Sequence, residues 1–273
     1  MSDHNPITFI GAGNMARSLI NGLLNNDYPG SAITASDPLA SQRESLAALG
    51  IQALEDNNVA CADADIIVLA VKPQVLGAVI GAISTIRPDQ LLISIAAGVP
   101  VASLSAWTSA DQAIVRCMPN TPALMGAGIT ALYSNEQVSK SQRQLAERIL
   151  DAAGKTLWVD TEDLLDAVTA VSGSGPAYFF YLMEAMIEAG TRLGLDAATA
   201  RKLTIETAYG AAVMAREGSE NPTTLRQNVT SPGGTTERAL SILDAAGVKD
   251  TLNAALAGAM SRSQELAEEF GQS

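Results

Sequence analysis

A short apolar run, Ile7-Thr8-Phe9-Ile10, breaks into Gly11-Ala12-Gly13-Asn14-Met15-Ala16, and a helical pattern with Met15, Leu19, Ile20 and Leu23 on one face follows at once. Strand, glycine turn and helix in that order constrain this chain more than any other feature. Gly11 permits the tight turn, Gly13 lets backbone approach a pyrophosphate, and the small Ala16 lets the helix close on the strand. A glycine motif of this kind is weak evidence when it stands alone. With a strand before it and a helix after it, the motif reads as a dinucleotide site at the head of a Rossmann-type sheet.

The alternation continues down the first half. Asp65 to Val71 is almost wholly apolar, as a central parallel strand buried on both faces should be. It stops at Lys72-Pro73-Gln74, and Pro73 suits the first position of a helix. Leu91 to Ile95 is a second such strand, ending in Ala96-Ala97-Gly98, and Ala113 to Met118 a third, ending in Pro119-Asn120-Thr121-Pro122. Ligands of open α/β sheets bind outside the carboxyl ends of the strands, so these tips suit a cofactor lying across them. Each tip taken singly is only a good turn. The strand Ala32 to Ala35 ends in Ser36-Asp37, and an acid about twenty positions beyond the glycines usually bonds the ribose of NAD. Arg43 is placed to reach a 2′-phosphate, and Asp37 serves equally well as a turn cap, so NAD and NADP both remain open. Strand Ile129 to Tyr133, helix Lys140 to Ala153 and strand Thr156 to Val159 complete a first domain over 1–160. On that helix Lys140, Arg143, Glu147 and Arg148 read as a solvated face.

From Thr161 the strand signal ends, and a helical domain over 161–273 is expected. Thr161 is a plausible N-cap, followed by Glu162 and Asp163 in the first turn. The helix should be interrupted around Ser172-Gly173-Ser174-Gly175-Pro176 and resume over Ala177 to Leu193. Further helices fit Asp196 to Glu217, Gly234 to Ala246 and Val248 to Glu269. A face with Phe179, Met183, Met186, Ile187 and Gly190 is expected in the core. Five helices with so little sheet to cover would bury themselves by self-association, and a homodimer through this half is expected. Within it, Val229-Thr230-Ser231-Pro232-Gly233-Gly234-Thr235-Thr236 places a glycine turn directly before a helix. The first amides of a helix lack partners within it and the dipole favours negative charge there, so the segment is able to hold a small carboxylate or phosphate. An ordinary capped helix is the plain alternative.

Composition removes several classes of function. The net charge of −12 argues against a nucleic-acid surface. With 47% apolar but only 4% aromatic residues, the core is aliphatic and suits helix–sheet packing. His4 is the only histidine, ahead of the first strand, which disfavours a histidine base, a catalytic triad or a histidine-held metal. Cys61 and Cys117 fit neither a disulfide framework nor a zinc set. No signal peptide or membrane span is legible, and a soluble cytoplasmic protein is expected.

These segments together resemble the pyrroline-5-carboxylate reductases. The likeness runs through Phe9 to Met15, Ala70 to Gln74, Met118 to Pro122, Ser172 to Tyr178 and, most specifically, Val229 through Asp244. The resemblance implies a Rossmann domain, an interlocking helical dimerisation domain, an active site between them and dimers that assemble further into rings. It implies hydride transfer from NADPH, or from NADH, to L-pyrroline-5-carboxylate in the last step of proline synthesis. Gly11, Gly13, Asn14, Met15, Ala16, Ser36, Asn57, Ala70, Val71, Lys72 and Pro73 would then line the ribose and phosphate groups. Ala96, Ala97, Gly98 and Pro119 would face the nicotinamide. Where many relatives carry Asn-Arg after the second strand, this chain has Ser36-Asp37. An iminium is already electrophilic, so a site without histidine need only orient two rings and exclude water. Ser231 with the amides of Gly234, Thr235 and Thr236 would hold the substrate carboxylate, and the Thr236 hydroxyl would act at the ring nitrogen. A β-hydroxyacid dehydrogenase would need a lysine in the helical half, where only Lys202 and Lys249 occur, neither in a glycine-rich motif. A dinucleotide-binding protein without catalysis would have no use for a second anion site.

Overall fold

In the computed structural model, which describes residues 4–271, one sheet contains β1 (Ile7–Ile10), β2 (Ile33–Ser36), β3 (Gln52–Leu54), β4 (Ile66–Leu69), β5 (Leu91–Ser94), β6 (Ala113–Met118), β7 (Gly128–Ser134) and β8 (Gly154–Trp158). The spatial order is β3-β2-β1-β4-β5-β6-β7-β8. The first six strands run parallel, β7 is antiparallel to β6, and β8 is again parallel to β7. This is the doubly wound order, and it reverses between β1 and β4. The crevice at that reversal lies at the tips of those two strands, where the glycine turn and the Ala70–Pro73 segment emerge.

Each central strand is buried on both faces and almost wholly apolar, the exceptions being the buried Thr8 and Ser94. Alternate residues feed two cores. Ile7, Phe9, Ile66, Val68 and Ile93 pack with α1 (Asn14–Asn25) on one side, while Ile10, Ile67, Leu69 and Leu92 face Leu76 and Ile80 on the other. The remaining helices of this layer are α2 (Ala40–Ala47), α3 (Asn57–Cys61), α4 (Pro73–Gly81), α5 (Val101–Trp107) and α6 (Lys140–Asp151). Helix α6 begins with a capping box, in which Ser139 accepts from the Gln142 amide and the Gln142 side chain accepts from the Ser139 amide.

Two features of this core give measurable expectations. A Cβ on Gly22 of α1 would be driven into the carbonyl oxygen of Ala152, just past α6. Alanine gains about 1 kcal/mol of helix propensity over glycine, but overpacking a backbone contact costs about 1–3 kcal/mol or more. Gly22→Ala should therefore lower the melting temperature, and a raised one would show that the two helices do not abut. Cys61 and Cys117 are buried, and burial pushes the Cys61 thiol up to about 12. Cys117 moves in the same direction, with the Arg116 charge opposing in part. An unfolded thiol ionises near pH 8.5, about where the stability held by the neutral thiols begins to be lost; the loss continues as pH rises towards 12. A thiol reagent at pH 8 should leave the folded protein untouched and titrate both cysteines once guanidinium is added. Prompt reaction of the native protein would contradict this burial.

Beyond the sheet come α7 (Leu164–Val168), a π-helical turn (Thr169–Gly173), α8 (Gly175–Arg192), α9 (Ala197–Glu217), α10 (Pro222–Asn228), α11 (Thr235–Ala245) and α12 (Val248–Gly271). Thr161 does not act as the expected cap: α7 starts at Leu164, and the Glu162 side chain is spent elsewhere, on the sheet tips. The interruption near Ser172 is a π turn rather than a break, with the Ser174 amide donating to the Thr169 carbonyl at 2.8 Å. Pro176, which has no N–H to give, stands in the first turn of the next helix.

The chain forms two compact units: one runs to Ser174 and takes up the chain again from Gly258, and the other is Gly175–Ala257. The face expected as core in the second unit is not buried in the single chain. Phe179 and Met186 are 64% and 52% exposed, beside Phe180 and Tyr181 at 63% and 72%. Among the described residues of that unit only Gly175, Ala200 and Thr204 are buried. Helices with so little core of their own need apolar partners from another molecule.

Candidate active site

The turn after β1 is shaped by what surrounds it. Gly11 has φ +95°, and a Cβ there would lie 2.9 Å from both the Ala70 carbonyl oxygen and Val71 Cγ1. Its amide donates to the Ser36 carbonyl at 2.8 Å, which fastens the turn to the tip of β2. Gly13 is the N-cap of α1, no side chain caps that helix, and the space a Cβ of Gly13 would enter is open to beyond 4 Å. The first amides, on Asn14, Met15 and Ala16, thus border an open cradle where a pyrophosphate fits. Across the crevice Ala70 bonds back to Ile10, and Val71, Lys72 and Pro73 lead into α4, with Lys72 exposed at its N-cap. The residues present fit a dinucleotide.

Ser36 and Asp37 divide their work. Ser36 is buried and donates from its hydroxyl to Asn57 Oδ1 at 2.7 Å, so it orients Asn57 rather than presenting itself. Asp37 accepts from the Ala12 amide and from the Leu39 amide, each at 2.9 Å. Its carboxylate therefore holds the glycine turn and caps its own turn. At the tips of β5 and β6, Ala96 and Pro119 are buried, Ala97 is exposed, and Gly98 at φ +74° packs against Leu266 and Phe270 of α12. Asn120 accepts from the Ile129 amide at 3.0 Å and donates to the Ser172 carbonyl at 3.2 Å. A Cβ on Gly173 would strike Met118 Cε, which seats the π turn on the tip of β6.

Glu162 was not among the expected site residues, and only its contacts reveal it. Its Oε1 accepts from the Val101 amide at 2.8 Å and from Arg116 Nη1 at 2.7 Å. It thereby caps α5, which has no side-chain cap of its own within the helix start, and neutralises an arginine in β6 whose side chain is 8% exposed. No spacing in the sequence announces a pair separated by 46 positions.

In the second unit, Gly233 at φ +71° turns the chain into α11, whose N-cap is Gly234. The Gly234 amide donates to the Ser231 carbonyl at 3.0 Å, so it closes the turn instead of facing outward as expected. The Gly233 amide is taken by Glu237 Oε2 at 2.7 Å. That leaves the amides of Thr235 and Thr236 at the helix start, with no side chain capping it. Thr236 stands at the second helical position and is half-buried, while Ser231 and Thr235 are exposed. His4 lies far from this chemistry in the chain and stacks edge-on against Tyr28 with ring centres 4.8 Å apart. Lys249 is paired with Asp244 at 3.5 Å on the surface, and Lys202 lines a shallow cleft on α9 with no glycine turn beside it.

The family model described as pyrroline-5-carboxylate reductase dimerisation matches residues 162–266, and one described as NADP oxidoreductase, coenzyme F420-dependent, matches residues 6–98. A pyrroline-5-carboxylate reductase of Pseudomonas aeruginosa is 53% identical over 268 residues, covering 97% of this chain and 98% of its own length. The chain belongs to the pyrroline-5-carboxylate reductase family. The solved structure of a pyrroline-5-carboxylate reductase from Coxiella burnetii matches with a TM-score of 0.91 and 41% identity, over 96% of this chain and 98% of the other. That of the Plasmodium falciparum pyrroline carboxylate reductase, with NADP bound, matches with a TM-score of 0.86 and 28% identity, over 98% of this chain and 100% of the other. The family explains the second unit's exposed helices, because they fall within the matched dimerisation region.

Proposed function

We propose that this protein reduces L-pyrroline-5-carboxylate to L-proline with NADPH or NADH, in the cytoplasm, as a homodimer whose copies assemble further into a ring. The observation that carries the reading is the start of α11, where two threonine amides and the Thr236 hydroxyl remain unspent in a chain whose β1–β4 crevice fits a dinucleotide. The relatives named above support it. Gly11, Gly13, Asn14, Met15 and Ala16 hold the pyrophosphate, with Asn57, Ala70, Val71, Lys72 and Pro73 along the ribose and phosphate groups. Ser36 acts by orienting Asn57. Ala96, Ala97, Gly98 and Pro119 flank the nicotinamide, which supplies the hydride accepted at C5 of the imine.

The rest of the work falls to the chain itself. The Thr235 and Thr236 amides and the Ser231 hydroxyl fix the substrate carboxylate, and Gly234 shapes the loop that aims them. The Thr236 hydroxyl bonds the ring nitrogen, which must carry a proton for C5 to accept hydride and which becomes the amine of proline. No strong base is required, because an iminium is electrophilic without one and orientation supplies most of the remaining rate. Buried free cysteines fit a reducing compartment. The test is to follow NADPH and NADH absorbance with pyrroline-5-carboxylate and, separately, with β-hydroxyacids. Oxidation of the cofactor by the imine alone is expected. Turnover of hydroxyacids, or of neither, would overturn the proposal. Sedimentation velocity distinguishes a dimer from a ring.

A further inference from the structure

Beside the tips of β2 and β3, Arg43 of α2 is held between opposing demands. Arg43 Nη1 donates to the carbonyls of Asp37 and Pro38, each at 2.8 Å, which uses both of its hydrogens. Nη2 bridges Glu55 Oε2 at 3.1 Å. The Arg43 side chain is 22% exposed and that of Glu55 72% exposed. The guanidinium is thus anchored by one nitrogen to the turn that follows β2, and turns the other towards solvent, with an acid laid over it.

In a doubly wound sheet the tip of the second strand lies beside the adenosine ribose and reads its 2′ position. A 2′-phosphate at this tip would need Arg43 Nη2, the donor matched to a phosphate oxygen, and Glu55 would have to give it up. An exposed bridge of this kind is weak and easily displaced, but the displaced carboxylate remains close by and repels a dianion. Asp37 adds a second fixed negative charge at the same tip. A free 2′-hydroxyl meets no such opposition, and the Asp37 oxygens keep lone pairs for it.

We propose that Glu55 sets cofactor discrimination in this protein by competing with the 2′-phosphate of NADPH for Arg43, so that NADH and NADPH bind with similar affinity. The inference rests on the dinucleotide reading of the sheet tips. The Glu55 side chain is 72% exposed, which lets it be replaced without disturbing the fold.

Dissociation constants for NADH and NADPH, measured by nicotinamide fluorescence at fixed ionic strength, test the proposal without turnover. The two should lie within about tenfold of each other in the natural protein. Glu55→Gln should tighten NADPH by about five- to tenfold and leave NADH within about twofold, and Glu55→Lys should tighten NADPH further. The gain should shrink as salt is raised, because exposed charges are screened. Equal shifts for both cofactors, or none for either, would overturn the role of Glu55. Failure of the natural protein to bind either cofactor would instead overturn the dinucleotide reading itself.

Discussion

Thr236→Val should lower turnover of pyrroline-5-carboxylate by about 10- to 100-fold while NADPH binds almost as before. Valine keeps the shape and removes only the hydroxyl, so the change isolates one hydrogen bond. The loss corresponds to about 1.4–2.7 kcal/mol of transition-state stabilisation, the range of one bond to a charged or charging group. Capping does not account for this residue, since the N-cap of α11 is Gly234 and Thr236 stands two positions inside. The folded protein should therefore melt close to the unaltered one. Thr236→Ser, which restores the hydroxyl, should recover most of the activity. Steady-state kinetics with both variants decide the matter, and imine reduction by the valine variant at the normal rate would remove Thr236 from the mechanism.

The parts of this fold that were legible in sequence are those in which local pattern and tertiary role agree. β1 and β6 fall on their expected residues, and the predominantly apolar runs of β4 and β5 announce burial on both faces. β3 was not legible, because Gln52-Ala53-Leu54 is too short and too mixed to show a period of two at a sheet edge. The short α10 was also missed, although Asn221 and Pro222 are a good N-cap and first position for it. The glycine turns declared their positions but not their partners. Gly234 looks like a free donor in sequence, yet its amide is committed to Ser231, and Ser36 looks like a ligand contact yet serves Asn57. Periodicity marks the face with Phe179 and Met186 as one to be covered without saying by what, since an apolar helix face is written the same way whether its cover comes from within the chain or from another copy.

The same limit hides the residue whose loss should cost the most stability. Arg116 is an arginine in a buried strand with Glu162 as its counter-charge, and the carboxylate also holds the Val101 amide. Glu162→Ala leaves a guanidinium in the core without a partner and an α5 without its cap. Breaking a buried pair from one side costs about 3–5 kcal/mol, and loss of a cap adds about 1 kcal/mol, although Glu162 is 23% exposed and water will soften part of this. A fall in melting temperature of roughly 10 °C is expected from the sum for a chain of this size. Glu162→Gln retains an acceptor for both donors and should lose less than half as much. Replacing the pair together, Arg116→Met with Glu162→Leu, should recover much of what Glu162→Ala loses, because nothing charged is then left unpaired. The double change would still free the start of α5, which follows Gly98 at the expected nicotinamide edge, so the Michaelis constant for NADPH should stay raised after stability returns. If stability and cofactor affinity recover together, Glu162 serves the fold alone; if stability returns without affinity, its bond to Val101 also positions the tip of β5.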